Sequence, residues 1–427
     1  MANAFSKEER VAFEDLLEGF HDALVLSRNV GIYNTDQTMM ARTNDVIWRP
    51  MPYIAQSISS TPGVAIGGYQ DMTQLSVPAT IGFSRTVPWT MTTLDLRDAL
   101  QEGRLGEAAK QKLASDINLA IMNAAANLGS LVVDIGAAAG TYDDVALCDS
   151  IMNEQGVADY DRFLALSSRD YNGLAGNIAG AAAAATRSFG GNKSNTAFER
   201  SFVGMVAGFE TFKFDYANRL TSAAGGATLI DTQAAANNYY VPAATSTALS
   251  GETQNVDNRF QTITVDNTVG VAAGDAFTIS GVEAVHHITK QGTGQPKTFR
   301  VVSVTNATDM VITPPIISAQ GGSDAELQYQ NCIVTPAAAA PLTWLNANTA
   351  AVNVFWQRDA LELLPGRYAV PSDAGTAVMR ATTDQGIEVV MQKFYDIDSM
   401  TIKYRLDTLF GVVNKQPEMS GILLFNQ

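Results

Sequence analysis

Apolar residues recur at three- and four-residue steps in two places along the 427-residue chain. In "LGEAAKQKLASDINLAIMNAAANLGS", Leu113, Ile117, Ala120, Ile121, Ala124 and Leu128 share one face of a helix, and Gly129 is a natural stop. About 23 residues at 1.5 Å each predict a rod of roughly 34 Å, whose alanines permit close packing on a sheet. The segment Ser6 to Ser27 predicts a second, amphipathic helix. Ser6 and Glu9 have capping-box spacing. Val11, Leu16, Leu17, Phe20, Leu24 and Leu26 supply its apolar face, while Glu14, Asp15 and Glu18 cluster as an acidic one. A solvated surface helix and a docking helix for a basic partner both fit that pattern.

Between the helices the pattern is extended. Pro50, Pro52, Pro62, Pro78 and Pro88 exclude long helices, and Gly63, Gly67 and Gly68 mark turns, which together predict a long two-stranded arm. Asp144 to Asn218 reads as mixed helix and strand, with glycines weakening the alanine-rich "GLAGNIAGAAAAATRSFGG". From Gly225 to about Ala340 helical periodicity gives way to short runs: "FQTITV", "AFTIS", "TFRVVSV" and "MVITPP". That spacing predicts a small barrel or sandwich. Helix and sheet signals return at "ANTAAVNVFWQRDALELLPG" and continue to "GILLF". An all-β block interrupting an α+β chain reads as an inserted domain.

Composition narrows the choice of partners. With 28 Lys and Arg against 43 Asp and Glu, the net charge is −15, and no basic run offers a grip for phosphates. Hydrophobic residues make up 46%, enough for a large core. Two cysteines, Cys148 and Cys332, predict a chain made in a reducing compartment. The opening "MANAFSKEERVAFEDLL" has acids where a signal peptide needs cations, and no apolar run reaches the ~18–20 residues of a membrane span.

Chemistry-bearing motifs are few. The three histidines are His21, in the first helix, and the pair His286–His287. Adjacent strand residues face opposite ways and no further ligand stands at metal spacing, so the pair reads as a surface or loop feature. "SFGGNKS" lacks the Gly before Lys193 that a phosphate loop needs. "GTGQPK" (Gly292 to Lys297) reads as a turn, and "DID" (Asp396 to Asp398) as a solvated strand end. Asn192 and Asn306 head glycosylation sequons that carry nothing without a secretory route. Trp48, Trp89, Trp344 and Trp356 sit in apolar or extended contexts and read as packing residues. No catalytic residue, cofactor site or metal site emerges.

Several collinear segments carry a family resemblance. "VAFEDLLEGF", "NDVIWRPM", "LDLRDALQEGRLGEAAKQKLASDINLAIMNAAANLGSLVV", "NVDNRFQTITVDNTVGVAAGDAFTISGV" and "TAAVNVFWQRDALELL" resemble, in order, the major coat proteins of short-tailed phages of the P-twenty-two type. The resemblance implies an α+β subunit with the tailed-phage major-capsid fold (HK-ninety-seven-type) and an inserted all-β barrel. It divides the chain into an N-terminal arm helix (1–40), an extended arm (41–95), a peripheral domain with the spine helix (96–224), the barrel (225–345) and an axial domain with the C-terminal strands (346–427).

It also implies a non-enzymatic role: self-assembly in pentamers and hexamers, with a scaffolding protein and a portal protein, into an icosahedral shell. That shell would enclose double-stranded DNA without specific binding or a membrane, form in the host cytoplasm and end in the virion. By the same resemblance Glu14, Asp15 and Glu18 are scaffold-docking residues. The family's two-fold loop falls on Ala234 to Gln254, where Tyr239, Tyr240 and Glu252 are the candidate inter-subunit contacts. Two other readings remain: a cellular nanocompartment shell, and a surface protein with a ligand-binding β-domain.

Overall fold

The computed structural model describes residues 9–11, 13, 14, 16, 20, 24–33, 46–52, 55, 57, 69–92, 99–180, 200–214, 218–231, 239–370, 376–383 and 385–425. Early strands are β1 (Gly31–Ile32), β2 (Val46–Pro50), β3 (Ser76–Thr80) and β4 (Phe83–Thr92), followed by helix α1 (Ala99–Leu128). Next come β5 (Leu131–Asp134), α2 (Tyr142–Gln155), β6 (Arg162–Ser167), α3 (Ser168–Gly180), β7 (Met205–Val206), β8 (Phe209–Phe214) and β9 (Arg219–Leu220). The middle of the chain forms β10 (Thr245–Thr247), β11 (Thr253–Asn255), β12 (Gln261–Thr264), β13 (Ala276–Val285), β14 (Gly292–Val304), β15 (Asp309–Thr313), helix α4 (Asp324–Tyr329) and β16 (Leu342–Trp344). The last strands are β17 (Ala350–Gln357), β18 (Leu361–Pro365), β19 (Ala377–Thr382), β20 (Glu388–Asp396), β21 (Thr401–Asn414) and β22 (Ser420–Leu424). Among the described residues after Trp344 every regular element other than short 3-10 turns is a strand, so the helical signal expected there is not realised.

Two compact units share the chain. The first takes 1–47, 78–122 and 361–413. Its sheet runs β1-β18-β21-β20-β19, with β4 also paired to β21. Ile402, Tyr404 and Leu406 of β21 point inward while Lys403 and Arg405 stay exposed, the two-residue period of a half-buried strand. Register places Tyr404 opposite Trp89 and Phe410 opposite Phe83. Both pairs stack, with ring centroids at 5.5 and 5.4 Å, so cross-strand aromatic contacts fasten β4 to the sheet. This corrects the extended-arm expectation: β2 and β3 do pair with each other, but β4 belongs to a packed sheet. Most of helix α1 lies in this unit too. It begins earlier than its pattern suggested and buries Leu113, Ala114, Ile117 and Ile121.

The second unit takes 48–77, 123–360 and 414–427. Its main sheet runs β5-β22-β17-β6-β8-β7, with β9 on the flank of β17. Every residue of β17 and of β6 is buried, as expected of central strands covered on both faces. Asn353, in the middle of β17, has its bonds made: Ser167 donates its N–H to Asn353 Oδ1 at 2.7 Å, and Asn353 Nδ2 donates to Asp170 at 2.9 Å. Helix α2 opens with a capping box between Thr141 and Asp144 and closes at Gly156, whose φ is +80°. A Cβ on Gly156 would also lie 2.8 Å from the His286 ring.

The same unit contains a five-stranded antiparallel sheet, ordered β12-β15-β14-β13-β16. As a path it has two free edges, and a short segment at residues 228–231 joins them. On one side Ile230 N–H donates to Ala340 O and Leu342 N–H to Thr228 O, each at 2.9 Å. On the other, Asp231 N–H donates to Thr264 O at 3.2 Å and Asp266 N–H to Leu229 O at 2.9 Å. The sheet therefore closes into a barrel around Ile230, Ile263, Phe277, Ile279, Phe299, Val301, Met310 and Ile312. It is not purely β: α4 sits in the β15–β16 connection, held by a capping box between Ser323 and Glu326. "GTGQPK" is corrected as well, since it opens the 13-residue strand β14 instead of making a turn.

Candidate assembly surfaces and the family match

The acidic face of the N-terminal helix is described at one of its three positions. Glu14 is helical and exposed; Asp15 and Glu18 lie outside the described residues. Phe13, Leu16 and Phe20 of the helix are buried, as are Leu24 and Leu26 beyond it, where the expected helix has given way to a 3-10 turn at Leu26–Asn29. Val11, expected on the apolar face, is 51% exposed, and Phe13 takes the inward place. Glu9, read only as a capping residue, is a buried tie: Lys393 donates to its carboxylate, and Tyr404 donates to it at 3.0 Å. Glu9→Gln removes that charge from a buried site, and an expected loss of about 1–3 kcal/mol follows from weakened charged hydrogen bonds. Urea unfolding measures it, and an unchanged midpoint would show that the tie contributes nothing.

The candidate inter-subunit residues separate into two kinds. Tyr239 and Tyr240 are half-buried, and each hydroxyl is used within the barrel. Tyr239 donates to Glu326 at 3.0 Å, next to the start of α4, and Tyr240 to Asn258 at 2.8 Å. Asn258 also receives the Ala243 N–H and donates to the Ala243 carbonyl, so this pair moors the loop to the barrel. Glu252 is exposed in the turn joining β10 and β11, a two-stranded ribbon whose six residues are all exposed. Leu249 projects fully into solvent at the same tip. The start of that loop, the alanine-rich run after Gly180 and "SFGGNKS" lie outside the described residues, as does His21.

His287 departs from the surface reading. It is 8% exposed, with Nε2 3.3 Å from a Glu418 oxygen. Lys297, 1% exposed, donates to the other Glu418 oxygen at 2.5 Å and to Gln155 Oε1 at 3.1 Å. Burial brings His287 down to about 4. Burial alone would raise Glu418, but the Lys297 ammonium and its hydrogen bond outweigh it and hold the carboxyl at about 2. A signal for this cluster was present: Lys297, Phe299 and Val301 share one strand face, so a lysine there points inward. Cys148 and Cys332 are both free and buried, and burial pushes the Cys332 thiol up to about 12. Among the described residues no group of three His, Cys, Asp or Glu side chains gathers as metal ligands would.

The chain thus pairs a sheet-bearing unit that holds most of a long helix with a second unit that carries a closed barrel, and its family places it in the class of phage coat proteins. The chain belongs to the P22 coat protein family, whose model, described as P22 coat protein - gene protein 5, matches residues 1–426. Among solved structures it is similar to a protein of Mycobacterium phage Che8, at 10% identity, TM-score 0.45, over 94% of this chain and 91% of that one. It is likewise similar to the capsid of cyanophage P-SCSP1u, at 10% identity, TM-score 0.46, over 95% and 88%. The CUS-3 coat protein I-domain is 34% identical over 29% of this chain and 98% of its own, with TM-score 0.21. The protein is thus a structural component of a virion that assembles with copies of itself into a capsid shell.

Proposed function

We propose that this capsid subunit builds its icosahedral shell of pentamers and hexamers under the direction of a basic scaffolding protein, docked on the acidic face of the N-terminal helix. The observation that carries this reading is the orientation of that helix. Phe13 and Leu16 are buried and Glu9 is tied inward, while Glu14 faces solvent. An acid held outward on an anchored helix suits a basic partner, because opposite charge steers encounter and fixes register. The domain scheme of the resemblance, assembly in the host cytoplasm, a portal partner and non-specific enclosure of double-stranded DNA belong to the same reading. A net charge of −15 supports the last of these, since an acidic protein holds no excess of cations for phosphates. The exposed ribbon tip with Glu252 and Leu249 would meet neighbouring subunits, while Tyr239 and Tyr240 set the loop that presents it.

The test is charge reversal of the face, Glu14→Lys, Asp15→Lys and Glu18→Lys together, co-expressed with the scaffolding protein. The monomer is expected to keep its circular dichroism while the yield of closed shells, counted by sedimentation and negative-stain microscopy, falls at least about tenfold, the equivalent of ~1.4 kcal/mol in docking. A normal yield of normal shells would remove the assignment.

A further inference from the structure

One strand and one turn of the barrel grip three connections beside the seven-stranded sheet. From β14, Lys297 reaches Glu418 and Gln155, the Thr298 hydroxyl donates to Ser130 O at 2.7 Å, and Arg300 donates to Gly129 O at 3.5 Å. From the β13–β14 turn, His287 donates its backbone N–H to Gln155 O at 3.1 Å and sets its ring against Glu418. Gln155 ends α2, Gly129 and Ser130 follow α1, and Glu418 lies in the 3-10 turn before β22.

We propose that this cluster is a proton-operated latch seating the barrel beside the sheet, released when His287 is protonated while the barrel and the sheet each remain folded. The charges around His287 give the reason. Glu418 faces it from the 3-10 turn, Lys297 from β14, and Lys290 and His286 from its own turn. Arg259 lines a small cavity together with His287 and Glu418, its charge matched by Asp257 at 2.8 Å. With His287 neutral, one carboxylate already faces two ammonium groups. A proton on His287 adds a third cation where water cannot screen it. Burial accordingly holds His287 at about 4, and partial burial brings the half-buried Lys290 ammonium down to about 8.

A buried neutral histidine binds fewer protons in the seated state than in the released one between pH 6.5 and 4, so seating weakens as pH falls through that window. Glu418, held at about 2, adds a further loss only from pH 4.5 downward. Release should therefore become easier by up to about tenfold per pH unit below 6.5, and the histidine alone contributes about 150-fold by pH 4.

Hydrogen exchange on the full-length monomer reads this directly, with rates corrected for intrinsic pH dependence. Protection of the 285–291 segment is expected to fall along that slope while the barrel-core segment 298–301 holds. In His287→Gln the seat should be flat from pH 7 to 4.5 and loosen only below. Equal slopes in the variant and the parent, or barrel-core protection lost together with the seat, would overturn the latch. If the variant has already lost barrel-core protection at pH 7, imidazole NMR of the unaltered protein decides. A His287 resonance titrating near 4 supports the proposal, and one near 6.5 ends it.

Discussion

Replacing Lys297 with Met is expected to cost the monomer about 3–5 kcal/mol of unfolding free energy, because it leaves the buried Glu418 carboxylate without the ammonium bonded to it. The side chains of both partners are at least nine-tenths buried, so solvent screening offers little relief. The informative comparison is the double variant Lys297→Met with Glu418→Met. Two well-packed apolar side chains need no counter-charge, so the double variant should recover most of what the single one loses. Urea denaturation of the monomer supplies both numbers. A single-variant cost below about 1 kcal/mol, or a double variant no better than the single, would show that the pair is not a buried tie.

Phe277→Ala should have a comparable effect through a different cause. The ring is fully buried in the barrel, stacked on Phe299 at 5.7 Å and edge-on to Trp344 at 5.5 Å. Truncation removes the apolar contacts and leaves a cavity that a closed sheet cannot collapse to fill, for a loss of about 3–5 kcal/mol. Trp344 reports locally, since losing its aromatic neighbour should shift its emission to longer wavelength before the protein as a whole unfolds. If the unfolding midpoint stays within about 1 kcal/mol of the parent, the barrel core is more plastic than its packing suggests.

These two sites differ in how far the sequence revealed them. Phe277 stands in "AFTIS", whose alternation is that of a half-buried strand, and the barrel strands were readable for that reason. What closes the barrel was not. Thr228 to Asp231 contributes single-residue bridges, and so short a segment has no period to detect. Helix α4 left a readable trace in its Ser323–Glu326 spacing, masked by the strands around it. Lys297 was hidden by "GTGQP" before it: two glycines and a proline suggest a turn, yet β14 absorbs them where its pairing with β13 slips register.

On the N-terminal helix the burial of Leu16 and Phe20 matched the pattern, and the exposure of Glu14 its polar face, while Leu24 and Leu26 are buried outside the helix, Leu26 in a 3-10 turn over Leu26–Asn29. Val11 failed because burial follows the Phe13 and Leu16 side of the helix. Charge alone does not say whether an acidic face meets water or a partner, so the docking expectation for Glu14, Asp15 and Glu18 came from the resemblance to phage coat proteins and not from the pattern.

The entry and exit of the barrel lie side by side on backbone that is already hydrogen-bonded. Leu220 of β9 pairs with Ala350 of β17, Ala223 N–H donates to Asn346 O at 2.9 Å, and the Ser222 hydroxyl donates to Ala347 O at 2.7 Å. Mechanical load arriving along β9 can cross to β17 through these bonds instead of running through the barrel. Strain carried by the shell's sheets would then bypass the barrel's own strands at the point where the chain enters and leaves it.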